Sequence, residues 1–292
     1  MTRTNSLNIL LENSGKDMLA EKYGAVIGNI QKGLISSQLK NTELSGTPGA
    51  GSYEAKRFTN TESKAYGTAR GNHAGDKIVA RPVTVNVNQD KELINEVEQK
   101  DVTLYGVPDL ISRKAASNQK TMGRDLERAF FSEAVSAGTA HTLTAATIEA
   151  KAEELIQLVE TVQNDFVDGV ERDEIALVLT PALYGQLRTY FDKVEQGNAT
   201  AESVARYHGV RCYSTIYMPS GIDAIVMREA SIAQPVLPTI AEPQKIQLSN
   251  AIGFGIFYSY GTKAVTPDLI FYVGESSESG ESAESAESTE AA

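Results

Sequence analysis

Residues 111–137 read ISRKAASNQKTMGRDLERAFFSEAVSA, a stretch long enough to organise the rest of the chain around it. Its apolar and small residues recur at helical spacing: Ile111, Ala115, Met122, Leu126, Phe130, Ala134 and Ala137. Charged residues fall between them: Arg113, Lys114, Lys120, Arg124, Asp125, Arg128 and Glu133. The pattern predicts an amphipathic helix about 40 Å long, with one face packed and the other in water.

The residues at the start and in the middle of this helix refine the prediction. Pro108 and Asp109 precede it and are typical of a first helical turn. Gly123 costs about 1 kcal/mol relative to alanine inside a helix, so we expect a bend or a close backbone approach there. From this stretch alone, an ordinary core helix of an α+β enzyme fits equally well.

Residues 52–89 have the pattern of a long β-hairpin. Val83, Val85 and Val87 alternate with polar residues, which is the period of a half-buried strand. Residues 53–58, YEAKRF, are charged enough to form an exposed edge strand. A hairpin of this length buries little core, so we expect neighbouring copies to hold it. Two short elements are predicted after it: a helix over Asp90–Lys100 and an extended piece over Val102–Tyr105.

Residues 1–51 form a leader with a loosely amphipathic helical pattern. Gly15, Gly24, Gly28 and Gly33 interrupt the pattern and weaken an isolated helix. Two interpretations stay open: an arm that a partner surface orders, and a helix that packs on its own chain.

The chain after residue 138 predicts an α/β unit. An amphipathic helix begins near Thr144, and its apolar stripe runs to Phe166. Ile175–Leu179, IALVL, is a continuous apolar run typical of a buried strand, and Thr180-Pro181 then starts a helix. The further predicted elements are a loop or weak helix over 195–208, strands over Val210–Tyr217 and Ala224–Arg228, and a turn over Met218–Gly221.

The last third predicts strands and then a charged tail. Ile246 and Leu248 alternate with polar neighbours, residues 254–260 continue the alternation, and residues 269–273 close it. Six glutamates then recur at every third position of residues 275–292 with no basic residue, which predicts a disordered acidic tail. Such a tail could repel nucleic acid, recruit a basic partner or stay solvated.

Charge and composition exclude several classes of protein. The formal net charge is −11. The six glutamates of residues 275–292 contribute −6, so residues 1–274 carry −5. Basic residues are scattered without an aromatic cluster, so we expect only weak, non-specific contact with nucleic acid. A single cysteine, Cys212, excludes an intrachain disulfide and fits a reducing compartment. No signal peptide and no apolar run of about 20 residues is visible.

The sequence lacks the motifs of catalysis and ligand binding. His73, His141 and His208 are isolated from other metal-ligand residue types. Gly253-Phe254-Gly255 sits in a strand pattern and lacks the third glycine of a phosphate loop. Cys212 is predicted to be an inert, partly buried thiol. We therefore predict no catalytic residue, no cofactor and no metal.

The order of these parts resembles the major capsid proteins of tailed bacteriophages, which have the Hong Kong 97-type shell fold. The likeness covers about Ser52 to Val273. Its strongest local piece is the strand, Thr180-Pro181 and helix, followed by Gly209-Val210, Tyr213 and the MPSG turn, which resembles the axial domain of that family.

The resemblance implies an α+β fold divided into five parts. These are an N-terminal arm (1–51), an extended β-hairpin loop (52–89), a peripheral domain with a spine helix (90–143 and 237–274), an α/β axial domain (144–236) and a disordered acidic tail (275–292).

The resemblance also implies three groups of site residues. Contacts between subunits are expected at Lys64, Arg70, His73 and Asp76 of the extended loop. The spine helix would contribute Arg113, Arg124, Leu126 and Arg128. The loop at the capsomer centre would contribute Gln196, Gly197 and Asn198.

The implied function is structural. Pentamers and hexamers would assemble into an icosahedral shell around a double-stranded DNA genome, in the host cytoplasm first and then in the virion capsid. Expected partners are sister copies, a separate scaffolding protein, a portal, weakly bound DNA and an optional decoration protein, with no membrane. The same shell fold resembles that of encapsulins. One alternative is therefore that the chain forms a protein compartment that holds cargo enzymes. An α/β enzyme with an unrecognised site is another.

Overall fold

The computed structural model describes residues 6–43, 51–61, 63, 65–66, 79–194 and 206–274, without the side chains of residues 31, 103–105 and 191–194. Its helices are α1 (Asn13–Gly33), α2 (Ile35–Leu39), α3 (Gln99–Tyr105), α4 (Val107–Ala137), α5 (Ile148–Glu160) and α6 (Pro181–Val194). Short 3-10 turns cover Leu7–Leu11, Arg172–Glu174 and Pro267–Leu269.

The described strands form separate sheets. They are β1 (Ser52–Phe58), β2 (Ala80–Asn86), β3 (Gln89–Glu98), β4 (Thr139–Ala140), β5 (Gln163–Asn164), β6 (Val167–Asp168), β7 (Ile175–Leu179), β8 (Arg206–Tyr207), β9 (Val210–Ser214), β10 (Ile222–Arg228), β11 (Ile232–Ala233), β12 (Val236–Lys245), β13 (Ala251–Tyr260), β14 (Lys263–Ala264) and β15 (Ile270–Gly274). One sheet has the order β4-β15-β10-β7-β9-β8, another has the order β12-β13-β3, and three pairs are β1-β2, β11-β14 and β5-β6.

The long helix α4 connects two hydrophobic cores, as its apolar stripe predicted. Ile111 and Leu126 are buried with α1 and the β12-β13-β3 sheet. Phe130 and Ala134 are buried against the six-stranded sheet. With 31 residues the helix is about 46 Å long. It begins at Val107, four residues before the predicted stretch.

The expected close approach at Gly123 involves a side chain rather than backbone. A Cβ at this position would lie 3.0 Å from Cδ2 of Leu34, the residue between α1 and α2. The missing side chain lets the N-terminal segment lie directly on α4.

Strand β7 shows why the run IALVL is apolar throughout. Ile175, Leu177 and Leu179 face the core formed with α5 and α6. Ala176 and Val178 face the core formed with the C-terminal part of α4. Because successive side chains of a strand point to opposite faces, a strand covered on both faces has no polar position. All five residues are buried, so the predicted strand is confirmed.

The predicted α/β unit is also confirmed. Strand β7 pairs in parallel with β9, and α6 makes the crossover between them. The pairing of one further strand differs from the grouping that we expected. Strand β15, which we assigned to the peripheral domain, pairs with β10 in the six-stranded sheet.

The prediction for residues 90–105 was wrong in both parts. Residues 89–98 form strand β3, whose ten residues pair with β13, and the helix α3 follows where an extended piece was expected. The spacing of Leu93 and Val97 fits the inward face of a strand as well as a helix. Pairing with a strand about 160 residues away decides between them, and Glu98 with Asp101 forms a capping box that starts α3.

The helix predicted from Thr144 to Phe166 is shorter than its apolar stripe. It spans Ile148–Glu160, and Phe166 lies in the β5-β6 turn. The side chain of Asn164 accepts hydrogen bonds from the backbone N–H groups of Phe166 and Val167 at 2.9 and 3.0 Å. This local bonding stabilises the turn in place of another helical turn.

The strand predicted at Ile246 and Leu248 lies earlier in the chain. Strand β12 ends at Lys245, and Leu248 has a φ of 58° in the turn before β13. We missed β12 because it contains Pro238 and Pro243. The strand tolerates both because it lies at the sheet edge, and its pairing is irregular between Ala241 and Gln244.

The N-terminal helices pack on the chain's own α4, which confirms the second of the two open interpretations for the described part of the leader. The Asn118 side chain donates to the buried Tyr23 hydroxyl at 3.0 Å. The backbone N–H of Ile35 donates to Glu127 at 2.8 Å. Burial raises the pKa of the Glu127 carboxyl, although the N–H groups of Ile35 and Ser36 pull it down.

Candidate assembly surfaces

The structure divides the predicted site residues into three groups. Arg113, Arg124 and Arg128 lie on the exposed side of α4. Leu126 of the same helix is buried in the core below, as the apolar stripe predicted. The remaining predicted residues lie outside the described part of the chain: Lys64, Arg70, His73, Asp76, Gln196, Gly197 and Asn198.

The β1-β2 hairpin, which we call the finger, is anchored to the body by one carboxylate, at the end of its paired strands nearer residues 59–79. Arg57 of β1 donates to Oδ1 and Oδ2 of Asp268 at 2.5 and 2.8 Å. Asn164 donates to Oδ2 of the same group at 2.6 Å. Burial by itself would raise the pKa of the Asp268 carboxyl, but the hydrogen bonds from Arg57 and Asn164 outweigh it and lower that pKa.

An aromatic ring stabilises the same anchor of the finger. The guanidinium groups of Arg57 and Arg81, which are cross-strand partners, lie 4.4 and 5.2 Å from the ring centre of Phe166. The backbone N–H of Asn60 donates to the carbonyl of Asp165 at 2.7 Å. Because the β5-β6 turn carries these groups, that turn sets the direction in which the finger leaves the body.

Next to this anchor the finger carries exposed apolar side chains. Only Ala55 and Val85 of its two strands are buried, in a small core with Ala233 and Val265. Phe58 is 56% exposed and Val79 is 47% exposed, at the outer end of the paired strands. Exposed apolar side chains do not stabilise an isolated chain. The finger end is therefore a candidate contact surface.

A polar cleft of about 970 Å³ lies between the finger and the β5-β6 turn. Hydroxyl and amide groups line it together with the carboxylates of Asp165 and Asp168. Its polarity fits a hydrogen-bonded contact rather than an apolar ligand.

The outer face of the β12-β13-β3 sheet has a second apolar surface, which we call the sheet groove. Ile94 and Phe257 are both partly exposed there, and Gly253 and Ala241 leave the floor open. The groove has a volume of about 380 Å³. Leu248, in the adjoining β12-β13 turn, is fully exposed. A fully exposed leucine beside a groove of this kind is a candidate knob for a neighbouring copy.

The described residues contain no cluster of three or more His, Cys, Asp or Glu side chains that could hold a metal ion. Cys212 is buried, as predicted, and burial raises the pKa of its thiol to about 11. At neutral pH it is therefore protonated and a poor nucleophile. Among the described helices, none combines the length and the apolar content needed to span a bilayer.

Sequence reasoning missed the anchor of the finger entirely. Asp268 lies 211 residues from Arg57, and nothing in the local sequence of either residue marks the pair. The only available signal was Arg57 itself, a charge near the outer end of a strand predicted to be an exposed edge.

No family model matches the chain, and no curated protein matches its sequence significantly. Solved structures do match its fold. A structure from Mycobacterium phage Che8 aligns with a TM-score of 0.63 at 17% identity, covering 82% of this chain and 90% of that one. The capsid structure of cyanophage P-SCSP1u aligns with a TM-score of 0.62 at 12% identity, covering 83% and 88%. A virus-like particle from Pyrococcus furiosus aligns with a TM-score of 0.57 at 12% identity, covering 87% and 97%.

The chain therefore has the Hong Kong 97-type capsid fold. In the terms used for this fold, α4 is the spine helix and the finger is the extended loop. At these identities the likeness shows the fold.

Proposed function

We propose that this chain is the major capsid protein of a tailed bacteriophage. Pentamers and hexamers of it assemble into an icosahedral shell that encloses a double-stranded DNA genome. The observation that carries the proposal is the fold, which a cyanophage capsid shares over 83% of this chain. The chain has no catalytic role in this proposal.

The finger supports the proposal because its exposed end needs a partner. Phe58 and Val79 would lie on an adjacent subunit, and the Arg57–Asp268 pair would hold the finger at the required angle. The predicted residues Lys64, Arg70, His73 and Asp76 would extend this contact. Many such contacts, each weak alone, stabilise a closed shell once all neighbours are present.

The sheet groove is a second proposed contact. Leu248 of one copy would insert into the apolar groove of the next copy, against Ile94 and Phe257. Residues 196–198 are proposed to approach the capsomer centre. The division into arm, extended loop, peripheral domain and axial domain is also part of the proposal, with β15 moved to the axial sheet.

The proposed partners follow from shell assembly. They are sister copies, a separate scaffolding protein, a portal, weakly bound DNA and an optional decoration protein. The proposed location is the virion capsid, after assembly in the host cytoplasm.

Electron microscopy of the expressed full chain tests the proposal. We expect capsomers or closed shells, with DNA in particles purified from infected cells. A small oligomer that turns over a small molecule would contradict a structural role. Particles filled with one enzyme and no DNA would instead support the encapsulin-like alternative.

A deletion tests the finger directly. Removing residues 67–76 should leave a folded subunit that does not form shells, because the bridging contact is lost. Removing the ten residues 283–292 is the matched control and should leave assembly intact. Normal particles from the finger deletion would contradict its bridging role.

A further inference from the structure

The long helix α4 sorts its charges between protein and solvent. Asp125 accepts a hydrogen bond from the Tyr258 hydroxyl at 3.1 Å, and Glu127 is buried against α2. Glu133 accepts a hydrogen bond from the backbone N–H of Ala264 at 3.0 Å. The carboxylates in the C-terminal half of the helix are therefore turned toward the protein and engaged there.

The basic side chains of the same helix point the other way. Arg113, Lys120, Arg124 and Arg128 are all exposed, and their spacing of seven, four and four residues places them on one side of the helix. We call them the basic stripe. It extends over about 22 Å at 1.5 Å per residue.

Carboxylates do little to neutralise the part of the stripe from Lys120 to Arg128. The guanidinium group of Arg124 lies 3.5 Å from the carboxylate of Asp125, which also accepts a hydrogen bond from the Tyr258 hydroxyl. In the part of the chain that the structure describes, no ion pair involves Lys120 or Arg128. Burial by α1 on one side and by the β12-β13-β3 sheet on another leaves this side as the solvent face of α4.

The chain carries its own complementary segment. Residues 275–292 contain six glutamates and no basic residue, in a protein whose other residues have a net charge of only −5. A tethered acidic segment binds a basic surface of its own chain more readily than a free polyanion does. Tethering raises the effective concentration of the segment to the millimolar range.

Chain geometry permits this contact within one subunit. The C-terminal end of α4 adjoins the start of β15, since a Cβ at Gly138 would lie 2.9 Å from Ile270. From Gly274 to Ile270 along β15 and from Gly138 back along α4, the path is about 28 Å to Arg128 and about 40 Å to Lys120, besides the short step between β15 and α4. Eighteen extended residues span up to about 60 Å, so the tail can reach both positions.

We propose that residues 275–292 bind the basic stripe of the same subunit. The tail thereby covers the one long basic surface of α4 and competes with nucleic-acid phosphates for it. Each exposed ion pair contributes little, so the contact depends on several glutamates acting together and weakens as salt rises.

Carbodiimide cross-linking of the full-length chain tests the contact, because this reagent joins carboxylates to nearby lysine amines. In low salt we expect cross-links between tail glutamates and Lys120, and their loss at about 0.5 M salt because the Debye length falls below about 5 Å. Equal cross-linking to the exposed Lys56 and Lys91 would show a non-specific tail and overturn the proposal. In a mixture of isotopically heavy and light chains, cross-links that join heavy to light would overturn the same-subunit contact.

Measurements of DNA affinity test whether the tail and nucleic acid compete for the basic stripe. Using a labelled double-stranded 20-mer at low salt, we expect truncation after Gly274 to tighten binding about ten-fold. The triple variant Lys120→Ala, Arg124→Ala, Arg128→Ala should remove that gain. A matched triple variant, Lys56→Ala, Lys91→Ala, Lys245→Ala, should keep it.

Two results of that experiment would overturn the proposal. In one, truncation leaves the DNA affinity unchanged while the stripe variant lowers it, which would make the stripe a nucleic-acid surface that the tail does not cover. In the other, truncation tightens binding equally with and without the stripe, which would make the tail a general repellent. The substituted side chains are exposed, and thermal melts should confirm that each variant is folded.

Discussion

Strand β7 and the finger are both β-structure, but they differ in what covers them. All five residues of β7 are buried under side chains of the same chain, on both faces. The finger has fourteen residues in its two strands, and only Ala55 and Val85 are buried. The comparison teaches that one subunit contains two kinds of sheet: a sheet that its own side chains cover and a sheet that they leave largely exposed, for which we propose cover by another subunit.

The largest expected effect is at the centre of β7. Val178→Asp places a carboxylate in a core with no partner and should cost more than about 4 kcal/mol of the free energy of unfolding. We expect insoluble protein or loss of the cooperative thermal transition. Val178→Ala, which only opens a small cavity, is the control and should remain folded. A soluble Val178→Asp variant with a normal melting temperature would remove the distinction between the two sheets.

A smaller effect is expected at the anchor of the finger. Arg57→Lys keeps the charge but loses the two-pronged contact with Asp268, which should cost about 1 kcal/mol locally. We expect faster amide exchange in residues 52–58 and slower shell assembly, with little change in the melting temperature. Lys56→Arg, one residue away on the exposed face, is the control. Unchanged exchange in Arg57→Lys would show that the carboxylate does not hold the finger.

A third effect concerns the axial side and is seen only in acid. Glu154 accepts hydrogen bonds from His141 and from the backbone of Thr144 and Ala145, and these lower the pKa of its carboxyl to about 2. The folded pKa is below the usual value near 4.5, so the stabilisation is complete above about pH 4.5 and is lost as pH falls toward 2.

Melting temperatures between pH 7 and pH 2 check this expectation. Glu154→Gln should reduce the acid-dependent loss of stability, because the group that takes up the proton is gone. Glu149→Gln, at a partly buried position of the same helix, should leave the acid profile unchanged. A Glu154→Gln profile that matches the unsubstituted chain would show that this loop is held by other contacts.

The same contrast explains which elements could be predicted from sequence. Helix α4 and strand β7 were predictable because their own side chains carry the pattern of burial. Strand β3 was not, since the spacing of its apolar residues fits two structures and β13 decides between them. The anchor of the finger was not predictable either, because Arg57, Phe166 and Asp268 meet only in the folded chain.

The smallest effect on the subunit is expected at the finger end, where the effect on the shell should be large. Phe58→Asp changes a side chain that is 56% exposed and contacts no core, so the melting temperature of the subunit should stay the same. Shell yield should nevertheless fall, because the substitution places a charge where a neighbouring copy must bury an apolar ring. Phe58→Leu keeps the apolar contact and should restore particles seen by electron microscopy. If Phe58→Asp forms shells as well as the unsubstituted chain does, the exposed end of the finger is not an interface, and the finger then differs from β7 only in being poorly covered.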